Sequence, residues 1–284
     1  MNHSGTLYVV ATPIGNLQDI SLRALETLKT VDLIAAEDTR HTAHLLTHFG
    51  IKSKLVALHE HNERRAGEKI LLALASGQSV ALVSDAGTPG ISDPGAVLVG
   101  MAREAGLKVV PLPGACAAVT ALSAAGFEQT HFLFQGFLPA SGAQRRRTLE
   151  CLREQQAVLV FYEAPHRVIE SVQDIASVFG GSRQILIARE LTKTFETFHR
   201  CTLSQAADWL RADPNPQRGE FVLLVEGALP APQGEISPDA QRVLQLLLAE
   251  LPLKQAVKLA TDITSAKKNA LYALALELEK TEHD

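Results

Sequence analysis

Residues 84–95, Ser-Asp-Ala-Gly-Thr-Pro-Gly-Ile-Ser-Asp-Pro-Gly, place three glycines and two prolines directly after the apolar run Val80–Val83. Glycine at the end of a strand lets a ligand approach the backbone closely, which makes this loop a candidate binding element. A purely structural loop is the competing reading. Other turns carry polar or Gly/Pro-rich sequence in the same kind of position: Thr12-Pro13-Ile14-Gly15-Asn16, Glu37-Asp38-Thr39-Arg40, His59-Glu60-His61-Asn62-Glu63 and Pro113-Gly114-Ala115. Carboxylates and imidazoles there can move protons, or they can cap helices and pair with cations such as the adjacent Arg40. No GxGxxG follows the first apolar run and no GxxxxGK[ST] occurs anywhere. A conventional dinucleotide fold and a P-loop are therefore not expected, and a ligand would be held by backbone groups and an apolar pocket.

Histidine is the other residue type with chemical potential. His41, His44 and His48 fall at helical spacing, and His59 and His61 alternate along extended chain. Zinc sites use such pairs, but the HExxH pattern is missing, so solvated or capping histidines are expected and no metal. Cys116, Cys151 and Cys201 lie far apart and outside any CxxC pattern, and read as reduced thiols of a cytosolic protein.

The elements that must position these residues alternate regularly through the first 120 residues. Leu7–Ala11, Asp32–Ala36, Lys54–Leu58, Val80–Val83 and Lys108–Leu112 read as five strands, each ending in one of the turns above. Leu22, Leu25, Leu28 and Val31 suggest one buried helical face between the first two, and Ala66, Ile70 and Leu74 another. Repeated strand-then-helix units imply a parallel sheet with covered faces, whose ligands sit beyond the carboxyl ends of the strands. Phe132–Gly136, Ala157–Tyr162, Gln184–Ala188, Glu196–Cys201 and Glu220–Gly227 read as five more strands, with helix between only some of them. The expected class is α/β: a parallel-sheet domain over 1–119 and a mixed-sheet domain over 120–228. A Pro-rich linker at 229–238 then leads to a helix-turn-helix-like unit over 239–284, with its turn around Thr261–Thr264.

Composition sets outer bounds. The 284 residues are 46% apolar and 20% charged, an ordinary globular mixture, with a net charge of −4. A chain that is basic all over is excluded, and aromatics at 5% are too few for a rich base-stacking platform. Two segments depart from the average: residues 139–153, with Arg145, Arg146, Arg147 and Arg153, and residues 242–268, with Lys254, Lys258, Lys267 and Lys268, each sum to +3. Such runs are either solvated faces or phosphate contacts. Ser265 is placed to cap a helix whose first turn carries Lys267 and Lys268. The N-terminus lacks a basic stretch followed by a long apolar one, so no signal peptide is expected.

Seven motifs in order, VVATPIGNLQDISLRAL, AAEDTR, HEHNE, VSDAGTPGISDPG, LPGACAAVTALSAAG, FYEAPHR and ARELTKTFE, resemble the ribosomal RNA small subunit methyltransferase I group of the tetrapyrrole methylase superfamily. The likeness spans essentially the whole chain. It implies S-adenosylmethionine bound between two α/β domains, 2′-O-methylation of a cytidine ribose in the decoding region of 16S rRNA or the small ribosomal subunit, and a homodimer. By the same resemblance Pro13, Ala86, Thr88, Ile91, Cys116 and Ala117 match donor-binding positions, and Tyr162 and Leu191 fall near positions lining the adenosine. Relatives read Gly-Asp-Pro where this chain has Gly87-Thr88-Pro89, which leaves Asp85 to stand in for the missing acid.

A sulfonium methyl is already activated, so alignment of the nucleophile is the main task. A base for the ribose hydroxyl adds roughly 10²–10⁴. Candidates at strand ends are Asp38, Glu60, His61, Glu163 and Glu190, each with a capping or salt-bridging role as its alternative. Arg40 and Arg167 can pair with these acids or hold an RNA phosphate. Two further readings stay open: another acceptor, a tetrapyrrole or a protein side chain, and a non-catalytic RNA-binding assembly factor.

Overall fold

The structure is a computed structural model that describes residues 4–212, 218–229, 236, 238–264 and 266–281. Its first sheet is built from β1 (Thr6–Val10), β2 (Leu33–Ala36), β3 (Leu55–Ala57), β4 (Val80–Val83) and β5 (Lys108–Leu112). Between and after them run α1 (Leu22–Thr30), α2 (Thr39–His48), α3 (Glu63–Ala75), α4 (Ala96–Glu104) and α5 (Ala117–Ser123). All pairings are parallel, in the order β3-β2-β4-β1-β5. Alternate side chains feed two cores. Val10, Ile34 and Ala81 meet Leu28 of α1 and Leu46 of α2 on one face. Leu7, Ala35 and Leu82 meet Ile70 of α3 and Leu98 of α4 on the other.

This order has a functional consequence. From β1 the chain crosses over one face to β2, and from β4 it crosses over the other face to β5. The crossovers diverge between β1 and β4, and in open α/β sheets such a switch point leaves a crevice at the carboxyl ends.

The helical face read from leucine spacing needs one correction. Ala24, Leu28 and Val31 are buried, but Leu22 is 80% exposed. At 100° per residue, nine residues turn through half a circle, so Leu22 and Val31 lie on opposite sides of one helical path.

The second sheet contains β6 (Phe132–Phe137), β7 (Val158–Glu163), β8 (Gln184–Arg189), β9 (Thr197–Thr202) and β10 (Phe221–Val225), in the order β6-β7-β10-β8-β9. Only β6 and β7 pair parallel; the other pairings are antiparallel. On one face α6 (Gly142–Leu152), α7 (Val168–Phe179) and α8 (Leu203–Ala212) cover Leu159, Phe161, Ile187 and Leu223. The opposite face packs Val160, Ala188 and Val222 against Ala118 and Ala121 of α5. A division between residues 119 and 120 therefore cuts through α5, a helix that follows the first sheet in sequence and packs on the second.

The chain divides into two compact units, Met1–Ala228 and Leu229–Asp284. In the second unit α9 (Pro238–Leu248), α10 (Leu253–Thr264) and α11 (Lys268–Thr281) enclose Ala240, Leu244, Val257, Ala260, Leu271 and Ala275. The turn expected at Thr261–Thr264 is instead the last turn of α10, where the Thr261 and Thr264 hydroxyls donate to carbonyls four residues back. Ser265 and most of the 229–238 stretch lie outside the described residues. No helix among the described residues is long and apolar enough to cross a membrane.

Candidate active site

The loops after β1 and β4 meet where the crossovers diverge. Thr12 and Gly87 exchange two backbone hydrogen bonds, 2.9 and 3.0 Å, and form an antiparallel bridge beyond two parallel strands. The Thr12 hydroxyl donates to the Ser84 carbonyl at 3.1 Å, and Thr88 donates to the Ala115 carbonyl at 3.0 Å, tying in the loop before α5. Gly87 has φ +81°, in the left-handed region, so its conformation calls for glycine, while a Cβ there would make only ordinary contact with Ile14. Behind the loop, the buried Glu63 accepts the backbone N–H groups of Gly95, Val97 and Leu98 at 2.9–3.1 Å. It thereby caps α4 from the first turn of α3 and fixes where the loop ends.

A cavity of about 340 Å³ opens beside this junction. The first sheet contributes Ile14, Ala86, Gly87, Thr88, Ile91, Ser92 and Asp93, and the start of α5 contributes Cys116 and Ala117. From the second sheet come Phe137, Tyr162, Glu163, Leu191 and Phe221, among others. The Tyr162 hydroxyl accepts the Ala118 N–H at 3.1 Å, and Phe134 and Phe137 meet the tyrosine ring edge-on. Burial pushes the phenol well above its ordinary pKa, so it stays protonated.

Asp93 is the residue that the sequence reading passed over. Burial, reinforced by the charges of Glu37 and Asp85, pushes its carboxyl up to about 6 despite a hydrogen bond to Ser84. Glu37 is also raised, by burial first and by its neighbours Asp85 and Asp38. Among the described residues, no lysine, arginine or histidine lines this cavity. The signal was present in the sequence, because Asp93 is the second aspartate of the same Gly/Pro-rich loop.

A second cavity, of about 430 Å³, adjoins the first and shares Ile14, Ala86 and Glu220 with it. Its other walls are Thr12, Pro13, Gly15 and Leu17 after β1, His41, His44, Leu45 and His48 of α2, and Asp85 and Lys193. The residues expected to hold a donor thus divide. Ala86, Thr88, Ile91, Cys116, Ala117, Tyr162 and Leu191 line the first cavity, whereas Pro13 and Asp85 line the second, with Ala86 on the shared wall.

The candidate bases are largely engaged elsewhere. Asp38 caps α2 and pairs with Arg40 at 2.8 Å, which holds its carboxyl far below the usual range. Glu163 reaches the first cavity, but its buried carboxylate accepts from Arg167 Nε and Ser171 Oγ, both at 2.5 Å. Glu190 binds Lys193 at 2.8 Å and the Glu220 N–H at 2.9 Å, and lines neither cavity. Glu60 and His61 are exposed and line neither cavity.

The basic segments also divide. Arg145 is 3% exposed and binds Asp174 at 2.6 Å, so it packs α6 on α7 and does not face an external phosphate. Arg146 reaches the same Asp174 at 2.9 Å, while Arg147 is exposed. Lys254, Lys258, Lys267 and Lys268 are exposed in the second unit. Among the described residues, no group of three or more His, Cys, Asp or Glu is arranged to hold a metal ion.

Two α/β sheets joined by this order of loops and helices define a class. Residues 6–207 match the tetrapyrrole (corrin/porphyrin) methylases, and residues 234–279 match the RsmI C-terminal HTH domain. The chain belongs to the tetrapyrrole methylase family. Solved structures of the same fold include a uroporphyrin-III-C-methyltransferase from Thermus thermophilus, with TM-score 0.55 and 22% identity, covering 78% of this chain and 94% of that one. The methyltransferase CobJ gives a TM-score of 0.59 at 20% identity, covering 79% and 95%.

Within the family the chain falls in one group. It is 56% identical over 276 residues to the Ribosomal RNA small subunit methyltransferase I of Pseudomonas aeruginosa, covering 96% of this chain and 98% of the relative. The protein of that name from Escherichia coli O157:H7 is 55% identical over 276 residues, covering 97% and 96%.

Proposed function

We propose that this protein transfers a methyl group from S-adenosylmethionine to the 2′-oxygen of a cytidine ribose in 16S rRNA of the small ribosomal subunit. The observation that carries the reading is the pair of adjoining cavities at the crossover junction, in a chain alike over nearly its full length to proteins named for rRNA methylation. The first cavity suits the donor. Its volume lies in the range of small-molecule sites, its wall is mainly apolar, and its half-buried Asp93 suits a cation. Ala86, Thr88, Ile91, Cys116, Ala117, Tyr162 and Leu191 would hold it. Bound there, the donor supplies a methyl on positively charged sulfur, so that transfer forms an O–C bond, breaks a C–S bond and releases the hydroxyl proton.

The chain's task is then to align the hydroxyl and to take its proton. Asp85 lines the second cavity next to the shared Ala86; its Oδ1 accepts the Asp38 N–H at 3.0 Å, and among the described ion pairs none joins it to a lysine or arginine. We assign it as the proton acceptor. Arg147 and the exposed lysines of the second unit supply phosphate contacts. The exposed Phe132 and Leu133 along edge strand β6 offer a surface for a homodimer. The thiols and the substrate fit the cytoplasm.

Ribose-methylation mapping by mass spectrometry, on rRNA from cells lacking this protein, tests the reading. One missing cytidine 2′-O-methyl, restored by the intact gene, is expected. An unchanged rRNA map would sink it, and incorporation of labelled methyl into a tetrapyrrole would replace the acceptor.

A further inference from the structure

The three histidines of α2 have no part in the reading so far. They follow each other by three and then four residues, so one helix face presents all three imidazoles to the second cavity. All three are exposed and run along α2 to its last residue, on a helix whose far side, Thr42 and Leu46, is buried against the sheet.

The two cavities differ sharply in what they offer a ligand. Among the described residues the first has no cationic or imidazole side chain on its wall, while the second has three imidazoles and one ammonium. Lys193 is held in place there by Glu190 at 2.8 Å and Glu220 at 2.9 Å. Ile14, Ala86 and Glu220 line both cavities and form the wall they share.

We infer that the second cavity is the seat of a single unstacked nucleotide of the RNA acceptor, held by His41, His44 and His48. This rests on the methyl-transfer reading of the first cavity. Single-stranded RNA is recognised by splaying a base out and stacking it on a flat side chain, and histidine serves in that role. A base drawn out of its stack needs such a partner to offset the lost stacking. The chain is poor in Trp and Tyr, and the imidazoles of α2 supply flat faces where the larger aromatics do not. They also offer N–H donors to base edges and phosphate oxygens. A nucleotide seated there has its ribose at the shared wall, beside Ile14, Ala86 and Asp85. A volume of about 430 Å³ is within the range that takes a small organic ligand.

The test uses the full-length protein with small subunits from cells that lack it. Two affinities are measured without turnover: S-adenosylmethionine by calorimetry, and the subunit by sedimentation. His44→Ala, and His41→Ala combined with His44→Ala, are each expected to weaken subunit binding about tenfold. Donor affinity stays within twofold. His44→Phe keeps a flat face, and is expected to recover most of the binding that alanine loses. Weakened donor binding in His44→Ala would reassign the cavity to the donor and overturn the inference. Unchanged subunit binding in the double variant overturns it as well. Recovery by asparagine and not by phenylalanine replaces stacking with hydrogen bonding and removes the base-stacking role. If the wild-type protein binds subunits but transfers no methyl, the functional reading fails alone. If it does not bind them, both fall.

Discussion

The first cavity takes its walls from backbone turns and apolar side chains drawn from both sheets, whereas the second takes most of its polar wall from one helix. Acids occur on both, in different situations. Glu163 on the first is locked between Arg167 and Ser171, and Asp93 is half-buried among other acids. Asp85 on the second accepts only the Asp38 backbone N–H and joins no lysine or arginine among the described ion pairs. The lesson is that an acid's neighbours assign its work: a paired carboxylate holds a wall, an unpaired buried one sets a field, and an unpaired one at an open face can accept a proton.

Substitutions can break this contrast. The largest effect is expected from Asp85→Asn, which should lower kcat by roughly 10²–10⁴ and leave S-adenosylmethionine binding unchanged. Steady-state kinetics beside calorimetry will show it, and an unaltered kcat would remove Asp85 as the proton acceptor. Glu163→Ala should act on stability instead. It strands a largely buried guanidinium, at a cost of about 3 kcal/mol in denaturant unfolding. A stable Glu163→Ala protein with lost turnover would reverse the roles of the two acids.

Asp93→Asn sharpens the field argument. The folded protein keeps the Asp93 proton up to about pH 6, above the ordinary value for an aspartate, so the folded state binds more protons than the unfolded chain. The charged carboxylate therefore costs stability above that pH, and the cost fades as pH falls through the window toward 4. Asp93→Asn should stabilise by about 1 kcal/mol near pH 8, after allowance for solvent screening, and by little near pH 4. The same variant should bind the cationic donor several-fold more weakly. Thermal melts at the two pH values and calorimetry check both. The smallest effect is assigned to Arg147→Ala, which should leave stability within about 0.5 kcal/mol and reduce the salt slope of RNA binding by about one. An unchanged slope would remove Arg147 from the RNA surface.

Ten strands were legible because their signal is local: short apolar runs bounded by turns. The carboxyl edge of the first sheet was legible for the same reason. What failed depended on distance or rotation. Arg145 read as part of an external charge run because Asp174, its partner, lies 29 residues away. Glu63 read as one acid in a polar turn, although its carboxylate closes the start of a helix more than 30 residues on. Leu22 looked like part of a stripe because spacing by three drifts around a helix that turns every 3.6 residues. The α5 boundary was missed because a helix can follow one sheet in sequence and pack on the other.

Gly15 sets a dimension of the second cavity. A Cβ built there would lie 2.6 Å from Lys193 Cγ, 2.8 Å from Thr192 Oγ1 and 2.9 Å from the Leu191 carbonyl. The loop after β1 and the segment after β8 thus close on each other across the space of one hydrogen atom. Each methylene added at position 15 acts as a spacer between the two sheets. The gap between these two segments is gauged by the smallest side chain in the chain.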